Sequence, residues 1–387
     1  MQERLYGKVK QAFQARFLRP PQIVVRAPGR VNLIGEHTDY NDGFVLPVAV
    51  DRAAWVAAAA VETPEATVRA LDMGGDESIF PVDRVPTSTG GWSDYPMALV
   101  WAFLERELQP AGLQAVFTSD VPVGAGMSSS AAVELDFAYA WTHLSQFELT
   151  PAELALLAQR AENEYVGVNC GIMDQMISAC GKAGQAMLLD TRSLERRYVP
   201  LPEGMAIVVA DSRVRRSLAS SEYNERRSQC EDAVARLQAY QPEITALRDV
   251  TPAALDRLEK QLPEVILRRA RHVVHENRRV IEMTKALWQG DLPTAGAIMK
   301  AGHISLRDDY EVSAPELDAL VEAAWEVPGC YGARLTGAGF GGCIVALAAD
   351  EATEALSTHL TETYEARFDK TPAVYVVHPA AGVEAVA

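Results

Sequence analysis

The first two hundred residues alternate short apolar runs with turns, which is the pattern of a sheet-rich region. Turn signals at Pro28-Gly29 and Asn41-Asp42-Gly43 separate runs rich in β-branched and aromatic side chains. We predict strands over residues 23–26, 44–50, 66–71, 113–118, 185–190 and 197–201. Residues 55–61 fit a strand or an Ala-rich helix. Helices are predicted over 95–108 and 131–144, and a third begins at the capping box Thr150-Pro151-Ala152-Glu153 and runs to about residue 168.

The pattern changes after residue 200. A buried strand at 205–210 precedes a mostly helical region from 221 to about 300, with helices over 222–240 and 263–287. A helix over 314–326 and strands over 333–336, 343–348 and 372–377 follow. The change from strand-rich to helix-rich sequence predicts an N-terminal domain of residues 1–200 and a C-terminal domain of residues 201–387.

Composition and charge narrow the class of protein. The 387 residues are 48% hydrophobic and 23% charged, a globular composition, and 36 Lys and Arg against 52 Asp and Glu give a formal net charge of −16. This charge argues against nucleic acid or an anionic membrane as a partner. Five cysteines without a CxxC pair, and a longest apolar run of only residues 53–61, lead us to expect a cytoplasmic protein without a membrane span.

A glycine- and serine-rich loop at 122–132 is the first candidate for chemistry. Gly124 and Gly126 let the backbone come close to a ligand, and Ser128, Ser129 and Ser130 follow where a helix begins. The free N–H groups of a helix start attract an anion, most often phosphate. An ordinary Ser-capped helix would look the same locally. GxxxxGK[ST] is absent from the sequence, and the loop does not match GxGxxG because Ser129 stands where the last Gly or Ala is expected. Another group therefore has to supply the cation.

Two further segments carry polar or flexible residues in concentration. Residues 335–343 contain four glycines in six positions, which fits either a turn that meets a ligand or a loose hairpin. Residues 26–40 contain Arg30, Asn32, Glu36, His37 and Asp39, a mixture of donors and acceptors that suits a hydroxyl-rich ligand as well as a solvated loop. Histidine-based metal motifs are absent from the sequence.

Two carboxylates complete the candidate set. Glu162 lies on the helix that begins at Thr150, and Asp174 lies in a mainly apolar run that favours its burial. A buried Asp needs a partner, and an Arg such as Arg30 would keep it ionised. Position alone is equally consistent with a structural ion pair.

The motifs together resemble a known family. The string GRVNLIGEHTDYNDG at 29–43 is similar to the galactokinase signature, while PVGAGMSSSAA at 122–132 and LTGAGFGG at 335–342 resemble the second and third motifs of the GHMP small-molecule kinases. Segments 170–175, 217–230 and 305–313 also resemble galactokinases. The matches follow the family's order over most of the chain.

The resemblance implies a two-domain α+β GHMP kinase fold with the active site in the cleft between the domains. It implies Mg²⁺-dependent transfer of phosphate from ATP to the 1-hydroxyl of α-D-galactose, by a monomer or weak homo-oligomer. By the same resemblance, Arg30 and Asp174 form the catalytic pair, and Ser130 and Glu162 hold Mg²⁺. The remaining assignments are sugar contacts at Glu36, His37, Asp39, Gly171 and Tyr223, phosphate contacts at Gly124, Ala125, Gly126, Met127, Ser128, Ser129 and Ser130, and adenine contacts at Trp92 and Tyr95.

Two alternatives stay open at this level. One is a GHMP kinase for another small alcohol or sugar, although mevalonate and homoserine kinases lack the 29–43 string. The other is a galactokinase-like sensor that binds sugar and ATP and regulates transcription through a partner. Such a sensor is expected to carry a damaged Gly/Ser loop, whereas this loop is complete and Asp174 is present.

Overall fold

Three β-sheets and the helices packed on them form the fold over residues 2–215 and 219–386, the part of the chain that the computed structural model describes. The helices are α1 (Gln2–Phe17), α2 (Asp94–Leu104), α3 (Ser129–Leu144), α4 (Pro151–Ala161), α5 (Met173–Cys180), α6 (Ala219–Gln238), α7 (Pro252–Leu258), α8 (Glu264–Gln289), α9 (Leu292–Asp308), α10 (Pro315–Glu326) and α11 (Thr353–Phe368). The strands are β1 (Ile23–Asn32), β2 (Phe44–Val45), β3 (Pro47–Val61), β4 (Glu65–Ala70), β5 (Asp76–Pro81), β6 (Gly112–Ser119), β7 (Gln185–Asp190), β8 (Arg196–Pro200), β9 (Met205–Asp211), β10 (Cys330–Thr336), β11 (Cys343–Ala349), β12 (Ala373–Val377) and β13 (Glu384–Ala385).

The largest sheet has six strands in the order β13-β1-β3-β6-β4-β5. Its fifteen-residue strand β3 contains the Ala-rich segment that the sequence leaves between strand and helix. Val56 pairs with Val25 of β1 on one side and with Phe117 of β6 on the other. Pairing along both edges therefore decides for a strand, against the helical preference of alanine.

The N-terminal segment is helical, which the prediction of a sheet-rich region over the first two hundred residues did not include. Residues Gln2–Phe17 form helix α1, whose Leu5, Val9 and Phe13 are buried against Trp55 and other residues of β3 and β6. Helix α11, strand β5 and the short helix α5 were also not predicted. The helix that begins at Thr150 ends at Ala161 rather than near residue 168, and a π-helical turn over Glu162–Val166 follows it.

The remaining strands form a three-stranded sheet, β2-β7-β8, and a four-stranded sheet, β10-β11-β9-β12. All strands of the four-stranded sheet follow residue 200, whereas β13 returns to pair with β1. We propose the division at residue 200 on this basis, with β13 as the exception. Among the described residues, no helix combines the length and the apolar character that crossing a membrane requires.

A buried apolar cluster joins the two halves of the chain and fixes the place of the site. Val31 near the end of β1 and Leu33 just after it pack with Val280 and Met283 of α8 and with Val345 of β11. Burial of such side chains stabilises the contact by roughly 1.5–3 kcal/mol each. The polar residues that follow β1 are therefore held against the C-terminal half.

Candidate active site

An ion pair between Arg30 and Asp174 lies at the centre of the site. Arg30 belongs to β1, and Asp174 belongs to the first turn of α5. The guanidinium donates from Nε to Oδ1 at 2.9 Å and from Nη2 to Oδ2 at 2.7 Å, and its Nη1 donates to the carbonyl of Gly126. The hydroxyl of Ser128 also donates to Oδ2. These charge-assisted bonds orient the carboxylate. It is still accessible to a ligand, because 26% of the Asp174 side chain is exposed.

A cavity of about 340 Å³ opens onto this ion pair. Its volume lies within the range of small-molecule sites. Nine of the residues assigned from the sequence line it: Arg30, Glu36, His37, Asp39, Ser130, Glu162, Gly171, Asp174 and Tyr223. Ser217 and Leu218, which begin one of the matching segments, lie outside the described residues. The structure thus gathers the predicted sugar and metal residues around one space.

Asp39 and Gly171 meet across this cavity. A Cβ atom at Gly171 would overlap the carboxylate of Asp39, so the close approach requires glycine. Burial and, after it, the charge of the neighbouring Asp174 carboxylate raise the pKa of Asp39 to about 6. Its Oδ1 accepts the backbone N–H of Tyr40 at 3.0 Å.

Glu36 is buried in a network that sequence reasoning missed. Its Oε1 accepts the Thr336 hydroxyl at 3.2 Å and the Gly337 N–H at 3.3 Å, and its Oε2 lies 2.5 Å from Nη2 of Arg334. Burial raises the pKa of Glu36 to about 7, although Arg334 opposes this shift. Arg334 is fully buried and also contacts Glu276 at 3.0 Å. Arg334 stands just before the second glycine cluster, which is the only sequence signal for its position.

His37 forms part of the cavity wall and binds protein groups through both ring nitrogens. Its Nδ1 lies 2.8 Å from the hydroxyl of Tyr40, and its Nε2 lies 3.1 Å from the carbonyl of Ala338. Burial lowers the pKa of His37 to about 3, so the ring is neutral. The ring of Tyr223, from α6, lies 5.6 Å from that of His37.

The Gly/Ser loop leads into the N-terminus of α3, as the sequence predicts. Gly124, Gly126 and Ser128 have positive φ angles of 66°, 78° and 57°, and Ser128 is the N-cap residue of α3. A Cβ atom at Gly126 would lie 3.1 Å from the carbonyl of Thr336. The two glycine-rich loops therefore touch through bare backbone.

Arg215 is the strongest candidate for the cation that the loop sequence lacks. Its Nε donates to the carbonyl of Val123 at 3.3 Å, and its side chain would lie 3.0 Å from a Cβ atom on Gly124. Asp211 anchors the guanidinium at 2.7 Å. No motif marks Arg215 in the sequence, because it lies 91 residues after Gly124.

Glu162 and Glu134 form a buried acidic pair that fits a divalent cation. Nε2 of Gln175 donates to both carboxylates, at 2.6 and 3.1 Å, and neither has an ion-pair partner among the described residues. Burial raises both pKa values, a hydrogen bond from Ser130 lowers that of Glu162, and Oε1 of Glu134 has no partner. No group of three or more metal-ligating side chains occurs in the described part of the chain. Mg²⁺ does not require such a group, since one or two carboxylates, water and phosphate oxygens usually hold it.

Trp92 and Tyr95 lie outside the cavity lining. The indole Nε1 of Trp92 donates to Asp76 at 3.0 Å, and its ring packs 5.5 Å from that of Phe117. Tyr95 lies in the first turn of α2. Burial, followed by the charges of Glu162 and Glu134, raises the pKa of Tyr95 to about 12.

Comparison with known proteins identifies the family. Three family models match: the galactokinase galactose-binding signature at residues 11–60, the GHMP kinases N terminal domain at 94–182, and the GHMP kinases C terminal at 283–366. A galactokinase of Roseiflexus sp. is 48% identical over 97% of this chain and 96% of its own. A galactokinase of Chloroflexus aggregans is 46% identical with the same coverage.

The crystal structure of Lactococcus lactis galactokinase complexed with galactose is similar over 97% of this chain and 98% of its own, with a TM-score of 0.92 and 32% identity. The α+β GHMP kinase fold that the sequence motifs imply is thereby confirmed. Sequence identity, family models and fold agree, and the chain belongs to the galactokinase family of the GHMP kinases.

Proposed function

We propose that this protein transfers phosphate from ATP to the anomeric 1-hydroxyl of α-D-galactose, giving α-D-galactose 1-phosphate and ADP. This reaction is the first committed step of galactose catabolism by the Leloir pathway. The observation that carries the proposal is the Arg30–Asp174 ion pair, oriented by two hydrogen bonds and open to a cavity lined by the galactose signature. Galactokinase relatives along the whole chain support it.

On the acceptor side, Asp174 accepts the proton of the 1-hydroxyl as the sugar oxygen attacks phosphorus. Arg30 orients Asp174 through two hydrogen bonds and places positive charge beside the transferred phosphate, while Ser128 fixes the carboxylate. Phosphoryl transfer depends mostly on such positioning and charge neutralisation. General-base assistance typically contributes about 10²–10⁴-fold.

The remaining sugar contacts come from the cavity wall. Asp39 has acceptor capacity for a sugar hydroxyl, and Gly171 leaves the room that Asp39 needs. Glu36 and His37 contact the sugar as parts of a wall whose polar atoms protein groups already bind. Tyr223 completes this wall from α6.

On the donor side, the N–H groups of residues 124–130 and the N-terminus of α3 hold the ATP phosphates, with Arg215 as an additional cation. Trp92 and Tyr95 border the adenine. A kinase that uses ATP requires a divalent metal, and we assign Mg²⁺ to Ser130 and Glu162, with Glu134 behind Glu162. When bound, the metal neutralises phosphate charge.

We further propose that the protein acts in the cytoplasm as a monomer or weak homo-oligomer. Its partners in this proposal are the small molecules galactose and ATP. The net charge of −16 supports neither nucleic acid nor an anionic membrane surface as a partner.

A substrate panel tests the reaction. ADP release is measured with ATP, Mg²⁺ and either galactose, 2-deoxygalactose, N-acetylgalactosamine or glucose, and the values of kcat/KM are compared. Galactose is expected to give the highest value. A preference for glucose contradicts the proposal. Binding of both ligands without turnover indicates a sensor instead.

The variant Asp174→Asn tests the catalytic base. We expect kcat to fall by about 10²–10⁴-fold while calorimetry still detects galactose binding, because the amide keeps the shape of the carboxylate. Asp232→Asn is the matched control, since Asp232 forms only an exposed helical ion pair with Arg236. Near-full activity of Asp174→Asn contradicts the assignment of Asp174 as the base.

A further inference from the structure

A buried chain of hydrogen bonds runs from His37 away from the cavity to Cys230. The hydroxyl of Tyr40 lies 2.8 Å from Nδ1 of His37, and the hydroxyl of Tyr310 lies 2.7 Å from that of Tyr40. The thiol of Cys230 lies 3.1 Å from the Tyr310 hydroxyl. Tyr310 and Cys230 are buried, and neither they nor Tyr40 line the cavity. The side-chain hydrogen bonds of this chain therefore reach the cavity wall at His37.

The donors and acceptors of these hydrogen bonds can be arranged in only one way. A carbonyl oxygen accepts, so Nε2 of His37 donates to Ala338. The ring is neutral, hence Nδ1 accepts and Tyr40 donates to it. Each hydroxyl has one hydrogen, so Tyr310 donates to Tyr40 and the Cys230 thiol donates to Tyr310. Every member thus has its partner, and the Nε2–H tautomer of His37 is fixed.

The fixed tautomer joins two segments of the cavity wall. The Nε2–H bond connects the signature segment to Ala338 of the second glycine cluster, and the adjacent Gly337 donates its N–H to Glu36. The ring of Tyr310 also packs 4.7 Å from that of His37 and 4.6 Å from that of His272. The orientation of His37 thereby sets the spacing between the two segments.

We propose that Tyr40, supported by Tyr310 and Cys230, is a positioning residue of the sugar site. It holds the imidazole of His37 so that the Nε2–H group of the ring bonds to Ala338. This bond connects the signature segment, residues 29–43, to the second glycine cluster, residues 335–343, before the sugar binds. The inference rests on the proposed function, since galactose is the ligand whose site is held in shape. Positioning of this kind lowers the ordering cost of binding and acts on the affinity for the sugar.

Steady-state kinetics of Tyr40→Phe test this role. Loss of the hydroxyl is expected to raise the KM for galactose about 10-fold, by analogy with lost outer partners of a site, while the KM for ATP stays within about 2-fold. Tyr310→Phe should act in the same direction, and Cys230→Ser, which keeps a donor, should resemble the wild type. Tyr364→Phe is the control, because this buried tyrosine also donates its hydroxyl, to the carbonyl of Ser212, outside the cavity.

Nitrogen NMR of histidine-labelled, unliganded protein gives a readout that a general loss of stability does not move. In the wild type, Nε2 of His37 should be protonated and Nδ1 should show the shift of a nitrogen that accepts a hydrogen bond. In Tyr40→Phe, the Nδ1 resonance should move to its unbonded position, whereas Tyr364→Phe should leave it unchanged.

A protonated Nδ1 in the wild type overturns the proposal, and so does an unchanged KM for galactose in Tyr40→Phe. Failure of the proposed function is recognised separately, because the wild type would then not phosphorylate galactose at all. The NMR experiment remains valid in that case, since it uses no ligand.

Discussion

Replacement of Arg334 by methionine is expected to destabilise the protein more than any surface arginine replacement, and to do so in a pH-dependent way. The guanidinium is fully buried between Glu36 at 2.5 Å and Glu276 at 3.0 Å, and it donates to the carbonyl of Leu33 at 3.3 Å. Methionine fills similar space without charge. The variant therefore isolates the loss of the cation from the loss of packing.

The two carboxylates respond differently to this loss. Glu276 keeps Arg279 at 2.6 Å and the N–H of Gly35 at 2.9 Å, so it remains paired. Glu36 keeps only neutral donors and is left without the cation that touches it. Removal of one partner from a buried ion pair typically costs about 3–5 kcal/mol, and we expect a loss in this range at pH 8.

The sign of the pH dependence follows from Glu36. Burial raises its pKa in the folded protein to about 7, against an ordinary value of 4.5. At pH 6 the Glu36 carboxyl is already mostly protonated in the wild type, so Arg334 has little negative charge on Glu36 to neutralise. At pH 8 it is ionised in the wild type, and the variant must bury the charge or take up a proton. The loss of stability should therefore be larger at pH 8 than at pH 6.

Urea unfolding, followed by circular dichroism at both pH values, measures the effect. The double variant Arg334→Met/Glu36→Gln should recover part of the loss at pH 8, because it removes the stranded carboxylate. Arg367→Met is the control: this side chain is 54% exposed, and its contact with Glu322 is 3.9 Å long. An equal loss at both pH values, or no recovery in the double variant, would refute the reasoning.

Two further predictions concern a close contact and a helix cap. Gly171→Ala should raise the KM for galactose about 10-fold or more, because the new Cβ displaces the Asp39 carboxylate. Gly7→Ala is the control, since its Cβ meets no atom within 4 Å. Equal KM values in the two variants would contradict the contact between Gly171 and Asp39. Thr150→Ala should lower the free energy of unfolding by about 1 kcal/mol, since it removes the capping box with Glu153. It should not change kcat, because Thr150 is not among the residues that line the cavity. Thermal unfolding measures the loss, and an unchanged melting temperature would show that the cap contributes nothing.

Local sequence predicts those parts of the fold where periodicity and capping agree. The helix start at Thr150 and the strand at residues 185–190 appear where predicted, because each depends on near neighbours. Residues 55–61 were ambiguous, since their secondary structure depends on pairing with the distant strands β1 and β6. Helix α1 was missed although Leu5, Val9 and Phe13 recur at helical spacing.

The site shows the same division between near and distant neighbours. The motifs indicate the residues that line the cavity, because ligand contacts require particular residue types in short segments. They do not indicate Arg334, whose partners Glu36 and Glu276 are 298 and 58 residues away in the sequence. Tyr310 and Cys230 lie in the matching segments 305–313 and 217–230, but their contacts with Tyr40 and with each other were missed for the same reason. The contacts that support a site join segments distant in the sequence and are therefore specified by the fold.

Gly126 and Gly337 bring the two glycine-rich loops into contact. A Cβ atom on Gly337 would lie 3.3 Å from Gly126, so the two loops approach closely because neither residue has a side chain. The first loop meets the phosphates of the nucleotide in our proposal, and the second carries Ala338 on the sugar wall. Any change in sugar affinity that the nucleotide causes through this contact must be matched by an equal change in nucleotide affinity caused by the sugar. In our proposal, the nucleotide site and the sugar site thus meet at a pair of residues without side chains.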